Sequence, residues 1–182
     1  TNNGYVELEK LKEGDTLLLQ SGEGVWSRNK RLPNVEALLQ KMSTMAQGGD
    51  HASGHTIMRR DFAEQYANLP VEWSHEIGVI LGTLVGDGWI SPNSGSPVGM
   101  VFNAESDELL DVVHDTMRSY FGEGHLHQRG SLRQLTYGRV PLEFFVTLGV
   151  KHVRAHEKRV PDAVWQAPCE AGSWPWRRNS HP

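Results

Sequence analysis

Asp87 closes the run Ile77-Gly78-Val79-Ile80-Leu81-Gly82-Thr83-Leu84-Val85-Gly86-Asp87-Gly88, in which glycine recurs at every fourth position. In a helix that spacing lines Gly78, Gly82 and Gly86 along one side. Each interior glycine costs about 1 kcal/mol relative to alanine. A stripe without Cβ atoms lets another backbone pack directly against it, a steric rule best known from membrane helices. Asp87 then falls at the C-terminal tip, where the helix dipole disfavours an anion. A bound divalent cation would reverse that penalty. Asp-Gly is also an ordinary turn, and Gly88 can end a helix through a positive φ. On the pattern alone the two readings weigh the same.

The second set of chemically able residues sits around Gly130. A two-residue turn at Gly130-Ser131 makes Arg129 face Leu132, His127 face Gln134 and His125 face Thr136. One sheet face then carries His125, His127, Arg129, Gln134 and Thr136, and the other Leu126, Leu135 and Tyr137. The first set offers donors and acceptors suited to phosphates and base edges. Ser91 and Asn93, with Ser94 and Ser96, are weaker candidates in an earlier loop. Among nine histidines, His51 and His55 share helical spacing, as do His152 and His156. Neither pair has a convincing third ligand, and Cys169 is alone, so a four-ligand zinc site is not expected. His152 and His156 lie among Lys151, Arg154, Lys158 and Arg159, where they suit phosphate or solvent.

The elements that must position these groups can be read from pattern. Pro70 suits a first helical position, and Val71 to Val85 reads as a helix stopping at Gly86-Asp87-Gly88. Two β-rich runs follow, Trp89 to Ser91 and Val98 to Asn103, joined by the turn-rich stretch Pro92 to Pro97. Glu105 to Tyr120 reads as a helix with Leu109, Val112, Val113, Thr116 and Met117 on one face. A hairpin over Glu123–Arg129 and Ser131–Arg139 precedes a third helix, Pro141 to Leu148. The order α-β-β-α-β-β-α, with antiparallel hairpins, predicts an α+β domain with its helices on one face. Upstream, Gly4 to Leu19 reads as a β-hairpin turning at Lys12-Glu13-Gly14-Asp15. Val35 to Met45 and Asp61 to Ala67 read as short helices in a linker or peripheral subdomain. The expected divisions are 1–20, 21–69, 70–167 and an irregular tail, 168–182.

Composition bounds the rest. The 182 residues carry 18 Lys and Arg against 22 Asp and Glu, a formal net charge of −4. A generally basic nucleic-acid binder is excluded on that count. One cysteine excludes an internal disulfide framework and suits a reducing compartment. The sequence has no apolar run of membrane-spanning length and no signal-peptide pattern, so a cytoplasmic location without membrane association is expected.

With those residues in view, Leu81-Gly82-Thr83-Leu84-Val85-Gly86-Asp87-Gly88 resembles the LAGLIDADG (DOD-type) motif of homing endonucleases found in inteins. That family's repeat runs α-β-β-α-β-β-α. Lys158-Arg159-Val160-Pro161 resembles the Lys-x-hydrophobic-Pro block that follows the repeat. Leu11-Lys12-Glu13-Gly14-Asp15-Thr16-Leu17 resembles part of the N-terminal splicing (Hint) domain. The resemblance covers Trp73 to Gln166 well and Gly4 to Leu19 weakly. It implies a metal-dependent endonuclease acting on double-stranded DNA, with Asp87 and the adjoining Gly86 at a Mg²⁺ ion and Lys158 acting on the scissile phosphate or the attacking water. Two such helices pack through their small residues, and each delivers one acid.

The Thr-x-x-His splicing block, a His-Asn ending and a second acidic helix are not found in this sequence. The expectation is that splicing is not possible from this chain alone, and that cleavage needs a homodimer formed through Gly78, Gly82 and Gly86. A non-cleaving, maturase-like nucleic-acid binder and an inactive intein relic are the alternatives. Between Arg118 and Arg159 eight Lys and Arg face three Asp and Glu, a local balance of +5 against −9 elsewhere. The net charge thus leaves room for a local DNA footprint.

Overall fold

The computed structural model describes residues 10–14, 27–47, 66, 68–103 and 106–172. Of the expected Gly4–Leu19 hairpin only residues 10–14 fall within them, with Gly14 at φ 96°. The strands on either side, His51, His55 and most of the Asp61–Ala67 helix lie outside the described residues, as does the tail beyond 172.

Helix α1 spans Val35–Gln47, and its buried Val35 and Leu38 lie on the face expected for it. Helix α2 spans His75–Asp87. It is followed without a loop by strand β1, Gly88–Ile90, then β2, Val98–Asn103. Helix α3 spans Asp107–Phe121, strands β3 and β4 span His125–Arg129 and Leu132–Tyr137, and helix α4 spans Arg139–Thr147. Two 3₁₀ turns, at Ala155–Glu157 and Asp162–Gln166, lead to a helical turn α5 at Cys169–Gly172. From α2 to α4 the order is α-β-β-α-β-β-α, as the pattern predicts. The fold is α+β. No described helix is long and apolar enough to cross a membrane.

The start of α2 differs from the expected Val71. Leu32 N–H donates to Val71 O and Trp73 N–H to Lys30 O, so residues 71–73 are held extended against 30–32. Ser74 is the N-cap, its hydroxyl accepting from Ile77 N–H at 3.3 Å. Pro70 therefore precedes an extended segment rather than a helix. At the other end α2 runs two residues further than expected. Gly88 is extended (φ −106°) and its N–H donates to Leu84 O. A Cβ on Gly88 would lie 2.7 Å from Leu84 Cδ1 and 2.8 Å from Gly99 O, so glycine is required by close approach and not by a positive φ.

The sheet is antiparallel, in the order β1-β2-β4-β3. Its covered face carries Ile90, Val98, Met100, Phe102, Leu135 and Tyr137, all buried beneath the helices. The face of α3 is rotated from the expected one. Leu110, Val113, Met117 and Phe121 are buried, while Val112 is 43% exposed. Leu109-Leu110 and Val112-Val113 are adjacent apolar pairs, so the heptad-like pattern has two solutions one residue apart. Phe121 settles the choice by stacking edgewise with Phe144 of α4, ring centroids 5.4 Å apart. Leu32, Val35, Leu38, Leu69 and Tyr66 bury their side chains in the same core.

Candidate functional site

Asp87 is the last residue of α2 and is exposed. Among the described residues its carboxylate forms no ion pair and no side-chain hydrogen bond. Helix-end carbonyls have no partners in their own helix. Lys158 supplies one, its Nζ donating to Gly88 O at 2.6 Å and to Gly86 O at 3.3 Å. These are the carbonyls on either side of Asp87. Three of the residues singled out in the sequence, Gly86, Asp87 and Lys158, are thus brought together from positions 70 residues apart or more.

The segment bearing Lys158 is fixed at several points. It leaves α4 through Gly149, at φ 95°. His152 Nδ1 hydrogen-bonds Ile90 O, tying the segment to β1. Glu157 Oε2 accepts from Arg154 N–H at 3.0 Å, and Glu157 N–H donates to Arg154 O at 2.9 Å. His152 and His156 share no helix, because 151–154 is irregular and only the 3₁₀ turn Ala155–Glu157 holds His156. The segment and the end of α2 enclose a groove of about 750 Å³ lined by Trp89, Lys151, Lys158, Arg159, Asp162 and Trp165 among others.

The glycine stripe is only partly open. A Cβ on Gly78 would collide with the carbonyl oxygen of Ala171, because α5 lies across it. Gly78 thus admits the close backbone approach expected of the stripe, with α5 of the same chain as the partner, and α5 stands where an irregular tail was expected at 169–172. Gly82 and Gly86 have nothing within 4 Å of a Cβ position among the described residues. They border an apolar groove of about 530 Å³ whose walls include Val85, Val160, Val164 and Trp165, the last 75% exposed.

The hairpin register is the expected one: His125 pairs with Thr136, His127 with Gln134 and Arg129 with Leu132. Gly130, at φ 63°, takes the first turn position. His125, His127 and Arg129 are exposed, and the two imidazoles lie 6.3 Å apart. Gln134 is half-buried. Thr136 departs from its expected role: it is buried, and its Oγ1 donates to His125 O at 3.3 Å, so its hydroxyl serves the hairpin. Ser91 and Asn93 sit in the β1–β2 connection, where Ser91 N–H donates to Pro97 O. The same sheet face continues through Val101 and Asn103 of β2 to Trp89 of β1, whose indole fills the space above Gly99. Trp89 was legible as a face residue from alternation, but only once the register with Gly99 is known.

No protein-family model matches the sequence, and no curated protein matches it either. Function therefore rests on the geometry. No group of three or more His, Cys, Asp or Glu side chains converges among the described residues. A Mg²⁺ site does not require one, since that ion keeps several waters and takes one or two carboxylates.

Proposed function

We propose that the chain is an intein-type LAGLIDADG homing endonuclease region that cleaves double-stranded DNA as a homodimer with Mg²⁺ or another divalent cation. The observation that carries this reading is the exposed Asp87 carboxylate, unpartnered among the described residues, at the tip of a helix whose Gly82–Gly86 face is open among those residues. The donor set fits such an ion. It offers hard oxygens, and the carbonyls beside Asp87 already attract a cation in the form of Lys158.

Asp87 and the Gly86 carbonyl are the groups that would hold the ion, which supplies activation of water and stabilisation of charge on the scissile phosphate. The chain's own residues do the rest. Arg129, His125 and His127 line one strand of the open sheet face and suit a phosphate backbone, with Gln134 beside them for base edges. The helix face at Gly82 and Gly86 admits a second copy, so that two Asp87 carboxylates meet about a two-fold axis. A two-fold enzyme calls for a near-palindromic site.

The test is incubation of the full chain with a pool of long, near-palindromic duplexes and Mg²⁺, comparing the natural sequence with Asp87→Asn. Metal-dependent double-strand breaks are expected, reduced by about a hundredfold or more in the variant. Even partners that only brace a metal ligand change affinity or activity roughly 10- to 100-fold. Cleavage that is indifferent to Asp87→Asn overturns the catalytic assignment. Salt-sensitive binding without cleavage in either protein favours a maturase-like binder instead.

A further inference from the structure

The ammonium of Lys158 and a divalent cation would need the same oxygen. Lys158 Nζ lies 3.3 Å from Gly86 O and 2.6 Å from Gly88 O, and it forms no ion pair with Asp87. Its charge is thus spent on the main chain at the helix end and not on the neighbouring carboxylate. A Mg²⁺ ion on Gly86 O would sit about 2.1 Å from that oxygen. That leaves it within a few ångströms of a like-charged ammonium.

We propose that Lys158 is a built-in surrogate for the metal, a positioning residue that holds the carbonyls of Gly86 and Gly88 in the metal-free protein and must release Gly86 before a divalent ion binds. This rests on the endonuclease reading for the location of the ion. It adds a competition internal to the chain. The segment that carries Lys158 is anchored independently by His152 on Ile90 O and by the Arg154–Glu157 hydrogen bonds. Release therefore needs only the lysine side chain to swing, with its backbone staying in place. The surrogate keeps the helix end satisfied while no ion is bound, and it raises the concentration at which the ion half-fills the site.

The experiment is calorimetric titration of Mn²⁺ into the full chain without DNA, for the natural protein, Asp87→Asn, Lys158→Gln and Lys158→Arg. Glutamine keeps a hydrogen-bond donor for the carbonyls and removes the charge. The expected result is that Asp87→Asn abolishes binding, Lys158→Gln binds Mn²⁺ about tenfold more tightly, and Lys158→Arg does not tighten it. Binding that depends on Asp87 but is unchanged or weaker in Lys158→Gln overturns the surrogate and leaves the metal site standing. Mn²⁺ binding that is absent, or independent of Asp87, overturns the metal site and the surrogate with it. On the natural protein, the side-chain ¹⁵N resonance of Lys158 provides a check that does not depend on how the variants fold. It is expected to shift as Mg²⁺ fills the site, and a resonance that stays fixed through saturation overturns the proposal.

Discussion

Asp87 and Tyr137 show two opposite situations for a polar side chain. Asp87 is exposed and, among the described residues, uncommitted, which is what a ligand-binding carboxylate needs. Tyr137 is buried, and its hydroxyl has no hydrogen-bond partner among the described residues. Burial pushes its phenol well above the usual value near 10, the charge of Glu123 pushes it further, and Arg118 opposes both. A raised folded-state value means that the stability is complete below about pH 10 and falls as pH rises beyond it. Tyr137→Phe is therefore expected to raise stability at neutral pH by about 1 kcal/mol, because an orphaned buried hydroxyl costs about that much. It should also lessen the alkaline loss, and urea denaturation at pH 7 and pH 10.5 measures both effects. Single residues were unevenly legible. Asp87 stood out because glycines framed it, whereas the bond from Lys158 to the carbonyls beside it depends on a chain reversal of 70 residues that no local pattern encodes.

At the scale of elements, α2 is shaped by its two ends. Ser74 caps the start, and the Glu76 carboxyl is held below its usual range, first by its own backbone N–H and then by the Ser74 hydroxyl. That contribution is complete above the ordinary carboxylate range and is lost as pH falls through the lowered value. Ser74→Ala is expected to cost about 1 kcal/mol, read from thermal unfolding at pH 7. Along the helix, the glycines should separate by position. Gly82→Ala meets no obstruction and should stabilise the monomer by about 1 kcal/mol, the propensity difference. Gly78→Ala drives a methyl into the Ala171 carbonyl and should destabilise. On the proposed homodimer reading, Gly82→Leu should abolish self-association in sedimentation while leaving the fold intact. The existence of α2, α3 and α4 was legible from periodicity, as was the β3–β4 register from alternation about Gly130-Ser131, whereas α5 falls in a stretch read as irregular. The start of α2 and the face of α3 were not. The first is set by pairing with residues 30–32, and the second by packing against Phe144.

For the whole molecule, charge needs to be recounted in three dimensions. Arg118 pairs with Asp115 and Glu123, Arg133 with Asp107, and Arg139 with Glu143. Among the described residues Arg129, Lys151, Arg154, Lys158 and Arg159 form no ion pair. The local excess of positive charge seen in the sequence is thus concentrated on Arg129 and the 151–159 segment. If the proposed DNA footprint holds, Arg129→Gln should weaken DNA binding and reduce the slope of log affinity against log salt by about 1, the signature of one lost phosphate contact. Fluorescence anisotropy at several salt concentrations reads that slope, and an unchanged slope removes Arg129 from the footprint.

The turn α5 lying across Gly78 has a mechanical consequence. It blocks the first third of the stripe, so a second copy can cross α2 only around Gly82 and Gly86. Asp87 is five residues past Gly82, about 8 Å along the axis. The pivot of such a pair would sit almost at the carboxylates, with each sheet starting beside them at β1 and reaching outward to β3 as an arm. Rocking about that pivot would open or close the arms by many ångströms while barely changing the distance between the two acids. A scissor hinged near its cutting point can follow the curvature of its substrate without losing the spacing on which its chemistry depends.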